Sequence, residues 1–582
     1  MSVGLPDKKK LNIGRFIYPV ALFILPLLKI NQGFDVSDSM YSLGNYMFGD
    51  RLDGMWVMST YLSNLVGSLI MKLPGADRLV IANLYTGLVL SCTALIVYFV
   101  LKEEVGEACA FLGEFTAVSM CWIPTGILYN YLTYLLLTVG ALLLWKAIVS
   151  EKKHLFFLAG FVLGSNVFVR IPNVTQTVLI AVLIVTYILW KKQGIVKAVF
   201  ICIGGYVTGV MIPLLMLIAR YGISGLGQMI NGLMGITSTD ESYTPLSMIT
   251  DTLKAYGRSL KWVALILLVT ACGMLMFRIL PGRYEHVKRM IYLAVLALMI
   301  RFFWGRGMFS FRYYEDYTSI YEWGMIALFM SIAVDLIVIF SKKYEKQLPL
   351  ALISIVIIMI APLGSNNNTY QNLNNMFLVM PLTFYICIDI IKTLAISGAG
   401  EKDYVKAVRY IKWPVATGII LLLICILVQS FGFHRSFVFR DGMRGEKRDT
   451  RITGVPCLEG IFTNEAKASD IEGLYEYMDS IEADEVILYG DCPGLTYVLE
   501  RPSAIFTSWA DLDSNSIEDV DEDLINVSTS LSDSYRVPVI IRNIEGTSIN
   551  SAVKMDLIAD FIAMNQYELS YSNDEYKVYT RP

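Results

Sequence analysis

The chain has 582 residues, of which 55 % are apolar and 17 % charged, with a mean hydropathy of +0.54. An average soluble protein carries about 25 % charged residues, so the composition excludes a disordered chain, a collagen-like chain and an ordinary soluble enzyme. It fits a polytopic membrane protein. The net charge of −3 conceals a split: residues 431–582 hold 28 acidic and 13 basic side chains, and residues 1–430 hold 23 acidic and 35 basic.

A bilayer core about 30 Å thick needs roughly 20 apolar residues per helix. The first run, 12–30, follows Lys8, Lys9 and Lys10 and gives way to a polar segment with no small-x-small cleavage pattern, so it reads as a retained anchor. A first outer loop, 31–78, comes next. Its opening stretch, 31–54, carries Asp35, Asp38, Asp50 and Asp53, and 55–73 reads as an amphipathic helix lying in the outer interface. Twelve further runs follow at 79–101, 108–124, 127–149, 155–169, 174–190, 196–219, 260–278, 290–304, 319–340, 348–362, 376–392 and 413–430, giving about 13 spans. With the N-terminus in the cytoplasm, 23 of the 35 basic residues of this part fall in inside segments. The positive-inside rule asks for that distribution. The odd number of spans then leaves residues 431–582 outside.

The outer segments hold the candidate chemistry. A short turn contains Arg170 and Asn173. The stretch 220–258 is rich in Gly, Ser and Thr. Residues 301–317 supply Arg301, Arg306, Arg312, Glu315 and Asp316, and 363–375 is a block of amides including Asn366, Asn367 and Asn368. Charge at a membrane boundary is costly unless hydrated or paired, so it often marks a substrate path, the alternative being a solvated loop end. Asp35 and Asp38 stand out: they lie about one helical turn apart, just beyond the first span, beside Phe34 and Tyr41. Glu114, Asp335 and Asp389, within spans, read as pairing inside the bundle.

Other chemistries find little support. Seven of the nine cysteines lie in apolar runs and read as core fillers; Cys457 and Cys492 lie in the acidic tail, where a disulfide would need an oxidising compartment. His154, His286 and His434 are far apart, and no metal-ligand spacing occurs. No phosphate-binding GxxxxGK[ST] loop and no GxGxxG after a strand is present, and no nucleic-acid partner is indicated. Cofactors are not called for, although Asp35 with Asp38 could offer oxygen ligands to a divalent ion such as Mg or Mn.

The tail reads as a small α/β domain, with strands at 485–490, 536–543 and 576–580 and helices at 470–480, within 515–532 and at 551–565. Its loop DCPGL (491–495) either binds at a strand's carboxyl end or is a Pro-Gly turn, and Glu518, Asp519, Asp521, Glu522 and Asp523 form a solvated face. This domain is expected to cap the outer face or present an acceptor.

The cytoplasmic N-terminus, the single span, the long outer loop opening on FDVSD, the interfacial helix and the many later spans resemble the GT-C glycosyltransferases, over residues 1–430. The resemblance implies a mainly α polytopic transmembrane bundle, GT-C-like, with an extracytoplasmic α/β domain at 431–582, in the cytoplasmic (plasma) membrane. It implies transfer of a hexosyl or pentosyl unit from a polyprenyl-phosphate-linked sugar donor to a glycan, lipid or protein acceptor of the cell envelope, outside, among membrane lipids. In that family an acid of the first outer loop is the catalytic base or orients substrate, which maps to Asp35, with Asp38 second. Basic residues of later outer loops bind the lipid-linked phosphate, which maps to Arg170, Arg301, Arg306 and Arg312. Glu315 and the amides Asn366, Asn367 and Asn368 would meet the sugar. Two alternatives stay open: a polysaccharide polymerase or ligase acting on whole lipid-linked glycans, and a transporter without covalent chemistry.

Overall fold

Each of the thirteen apolar runs is helical in the computed structural model, which describes residues 13–51, 54–126, 128–239, 244–311, 318–364, 367–396, 402–441, 446–532, 535–543 and 549–582. Among the described residues seven helices are long and apolar enough to cross a membrane: Leu79–Val105, Tyr129–Ser150, Ile171–Leu189, Ile195–Met234, Leu246–Ile279, Thr318–Phe340 and Tyr410–Ser436. The other runs form shorter or more charged helices, such as Glu107–Met120, Lys153–Asn166 and Leu348–Ile360. A 14-residue helix rises about 21 Å, less than the bilayer core, so the polar turns that end these helices need partners within the protein. The turn after Lys153–Asn166 shows how: the Asn173 amide donates to Thr133 Oγ1 at 2.9 Å and to the Asn166 carbonyl at 2.9 Å, and the Asn166 amide donates to the Thr133 carbonyl at 3.0 Å. These bonds satisfy backbone that lipid could not.

Close backbone packing sets the position of that turn. Helix Lys153–Asn166 lies against Ile195–Thr239 through Gly160 and Gly164 on one side and Gly205 and Gly209 on the other. A Cβ at any of the four would strike a backbone carbonyl of the facing helix, from Cys202, Tyr206, Phe157 and Phe161 respectively. This is the small-xxx-small contact of membrane helices. Gly164→Val is therefore expected to destabilise the bundle by about 1–3 kcal/mol through overpacking, read as a lowered midpoint in thermal unfolding in detergent.

The 55–73 segment is two helices, Gly54–Ser59 and Tyr61–Ile70, broken at Thr60 (φ −135°). Val57, Met58 and Tyr61 pack with Val167, Phe168 and Leu217. The last long helix, Lys402–Ser436, runs beyond residue 430, so the tail departs from Phe437.

The tail contains a four-stranded sheet in the order Ile487–Tyr489, Val539–Arg542, Tyr576–Thr580, Glu568–Ser572; the first pair is parallel and the others antiparallel. Its longer helices are Glu465–Asp479, Ile517–Ser530 and Ile549–Met564. Asn464 and Ser516 cap the first two by accepting the N–H groups of Lys467 and Asp519. Cys457 and Cys492 are buried free thiols.

The tail and the loop that follows the first apolar run share one core. Phe34, Val36, Met40, Leu43 and Tyr46 pack with Ile452, Leu458, Ile471, Leu495 and Val498. Backbone bonds reinforce it: Phe462 N–H to the Asn31 carbonyl at 2.9 Å, Gly33 N–H to the Phe462 carbonyl at 2.7 Å, and Gly494 N–H to the Val36 carbonyl at 2.6 Å.

Candidate active site

The helix Asp38–Met47 begins where Asp35 prepares it. Asp35 is buried; its Oδ1 accepts the Ser37 N–H at 3.0 Å and the Ser37 hydroxyl at 2.5 Å, and its Oδ2 accepts the Ser39 N–H at 2.9 Å. First-turn N–H groups have no intrahelical partner, and a short acidic side chain just upstream satisfies them. Both Asp35 oxygens are thus engaged at the loop–helix junction.

Asp38, the first residue of that helix, lines an open cleft. Trp122 and Thr125 line it from the turn before helix Leu128–Ser150, and Tyr129 from the first turn of that helix. Arg170 lines it from the Asn166–Ile171 turn, Asn367, Gln371 and Asn374 from the amide-rich loop, and Phe439 from the tail. The loops are braced together: Asn374 Oδ1 accepts the Trp122 N–H at 2.8 Å, Tyr134 hydroxyl donates to Gln371 Oε1 at 3.0 Å, and Ser39 and Thr125 hydroxyls stand 2.7 Å apart. Phe439 stacks on Trp122 with ring centroids 5.9 Å apart.

Two guanidinium groups face Asp38. Arg170 donates to the Gly364 carbonyl at 3.2 Å and lies 5.6 Å from the Tyr129 ring centroid. Arg440, from the tail, places Nη2 3.4 Å from Asp38 Oδ2, and its Nη1 donates to Asp491 Oδ2 at 3.0 Å and to the Ser37 hydroxyl. Burial pushes the Asp38 carboxyl up to about 6; Arg440 and Arg170 oppose the rise, and the Asp35 charge adds to it. Asp491 is likewise held at about 6, by burial first, against Arg440.

Asn367 is exposed on the cleft, whereas the Asn368 side chain folds onto its own turn, Oδ1 accepting the Thr369 N–H at 2.7 Å. Arg301 and Arg306 are exposed at the end of helix Glu285–Gly305, Arg306 lying 5.3 Å from the Phe302 ring centroid, and neither lines the cleft. Arg312, Glu315 and Asn366 lie outside the described residues. Sequence reasoning passed over Arg440 and Trp122, and held Asp491 only as part of the DCPGL loop and Gln371 only as part of the amide block. For Arg440 the available signal was its place, a cation between Phe439 and Asp441 just past the last span.

A divalent ion does not fit the acidic pair. Both Asp35 oxygens already accept hydrogen bonds, and Asp38 faces a guanidinium. Among the described residues no group of three His, Cys, Asp or Glu side chains could hold a metal.

No protein-family model matches the chain, and no curated protein matches it. Among solved structures, ArnT from Cupriavidus metallidurans in the apo state aligns over 98 % of this chain and 97 % of its own, at 9 % identity and a TM-score of 0.46.

Proposed function

We propose that the chain is an integral-membrane glycosyltransferase of GT-C type. It would move a hexosyl or pentosyl unit from a polyprenyl-phosphate-linked donor to an envelope polysaccharide, glycolipid or protein on the outer face of the cytoplasmic membrane. One observation carries the reading: Asp38 and Arg170 face the same polar cleft at the ends of bundle helices.

The chemistry follows from those groups. The acceptor oxygen forms a bond to the anomeric carbon as the bond from that carbon to the phosphate oxygen breaks. The acceptor's proton passes to Asp38, and the electron pair leaves on the phosphate. A carboxylate ionised at neutral pH, within reach of the acceptor, suits the first task. A guanidinium presents a planar fork to the leaving phosphate and stabilises the charge that grows there. Asn367, Gln371 and Asn374 offer amide donors and acceptors to sugar hydroxyls.

Of the two acids, Asp38 takes the role of base in this reading, and Asp35 positions it through the helix start. The phosphate is assigned to Arg170 rather than to Arg301 or Arg306, which stand outside the cleft.

Purified protein given an undecaprenyl-phosphate-linked sugar and an envelope fraction is expected to release undecaprenyl phosphate. Absence of release with hexosyl and pentosyl donors alike would overturn the reading. The pH dependence has a definite sign. Because Asp38 is raised to about 6, the base is protonated below that pH, and the rate should fall about tenfold per unit beneath it. A flat profile from pH 7 to pH 4.5 would contradict the assignment. For orientation, Glu518→Cys on the exposed tail should react with a membrane-impermeant maleimide in intact cells.

A further inference from the structure

We infer that the C-terminal domain supplies a positioning residue to the transfer site: Arg440, anchored by Asp491, holds the Asp38 carboxylate where it meets the cleft. The inference rests on the reading of Asp38 as the base.

The geometry is a relay of charged contacts across the two parts of the chain. Arg440 Nη2 faces Asp38 Oδ2 at 3.4 Å, while Nη1 donates to Asp491 at 3.0 Å and to the Ser37 hydroxyl, which itself donates to Asp35. One guanidinium thus ties Asp38 directly, and Asp35 through Ser37, to the tail. Its backbone is fixed from below: Lys467 donates to the Arg440 carbonyl at 3.4 Å and to the Phe34 carbonyl at 2.7 Å.

Backbone conformation points the same way. Arg440 (φ 49°) and Asp491 (φ 54°) both occupy the left-handed region, which non-glycine residues enter at a cost and which clusters at functional sites. Asp491 follows the parallel strand Ile487–Tyr489 and Gly490 (φ 94°), at a strand's carboxyl end. Asp511 holds this turn, accepting the Asp491 N–H at 2.8 Å and the Gly490 N–H at 3.3 Å. The DCPGL loop is thereby a rigid mount, docked on Val36 through Gly494. A solvated surface ion pair would need none of this framing.

The consequence is that the base is oriented only when the tail is docked. The charged groups around Asp38 are Arg440, Asp35 and Arg170, with Asp491 across Arg440, and those around Asp491 are Arg440, Asp35, Asp38 and Asp511. Removing the cation and removing its anchor should therefore act on Asp38 with opposite signs. Without Arg440 the Asp38 carboxylate loses an opposing charge, and its pKa rises. Without the Asp491 charge, Arg440 serves Asp38 alone, and the pKa falls.

Infrared difference spectroscopy of the full-length protein in detergent tests this without substrate. The carboxyl band of each protein minus its Asp38→Asn counterpart is titrated with pH. Wild type should give a midpoint near pH 6. Arg440→Gln should raise it by about one unit or more, the effect of losing a cation within 4–6 Å. Asp491→Asn should lower it, and Arg440→Lys should return it toward wild type. A midpoint unmoved in both Arg440→Gln and Asp491→Asn would overturn the inference, and Asp491→Asn decides it alone if Arg440→Gln does not fold. In transfer assays Arg440→Gln should lower kcat with little change in the donor KM, whereas Arg170→Gln should raise that KM. A wild type that transfers no sugar sinks the proposed function while leaving the infrared titration to judge Arg440 separately.

Discussion

Asp38→Asn is expected to lower sugar transfer by about 10²- to 10⁴-fold without lowering stability. The amide keeps the shape and the contact with Arg440 but cannot take the acceptor's proton. Stability follows from linkage. A carboxyl raised to about 6 in the folded protein is disfavoured in its charged form by folding. That penalty is fully present above about pH 6 and is relieved as pH falls toward the ordinary carboxylate range. Substituting a neutral side chain removes it. Asp35→Asn should behave differently. The amide can replace only one of two accepting oxygens, so the start of helix Asp38–Met47 loosens, and activity falls together with thermal stability. A stable, inactive Asp38→Asn beside a destabilised Asp35→Asn would separate base from positioning residue; the reverse pattern would restore Asp35 to the first role.

Asp441→Ala is expected to cost about 3–5 kcal/mol, the cost of breaking a buried ion pair on one side. The Asp441 side chain is fully buried; it accepts the Phe34 N–H at 2.7 Å and the Thr463 hydroxyl at 3.1 Å, and Lys467 Nζ lies 3.3 Å away. Alanine leaves the Lys467 ammonium, itself only 12 % exposed, without its carboxylate counter-ion, and the Phe34 N–H without its acceptor. Because these partners belong to the loop after the first apolar run and to the tail, the two should part. Limited proteolysis should then release residues beyond 437 at a temperature where wild type resists, and transfer should fail with it. An unchanged proteolysis profile would show that the apolar core around Phe34 and Leu495 holds the parts together by itself.

The bundle was legible because apolar length is a one-dimensional signal. All thirteen runs appear as helices. Their sufficiency as spans was less legible: the helix on the run 108–124 stops at Met120, at the turn that begins with Cys121, and what meets such a turn is a tertiary feature. In the tail, 485–490, 536–543 and 576–580 show the apolar pattern of a sheet interior and became strands. The edge strand Glu568–Ser572 has mostly exposed residues and carries no such pattern. The site divides the same way. Asp38 was visible as an acid at a membrane boundary. Arg440 was not, because Ser37 and Asp38 lie hundreds of residues upstream of it and only the docking of the tail joins them; Asp491 stood out only as part of the DCPGL loop. Arg301 and Arg306 carried the same boundary signal as Arg170, and only the three-dimensional course of the chain separates them.

The most direct test is to locate the lipid phosphate. A cryo-electron microscopy map of wild-type protein with undecaprenyl phosphate should show the phosphate against Arg170, in the cleft that Asp38 faces, with the isoprenoid leaving between helices. Phosphate density at Arg301 and Arg306, with the Asp38 cleft empty, would contradict the account.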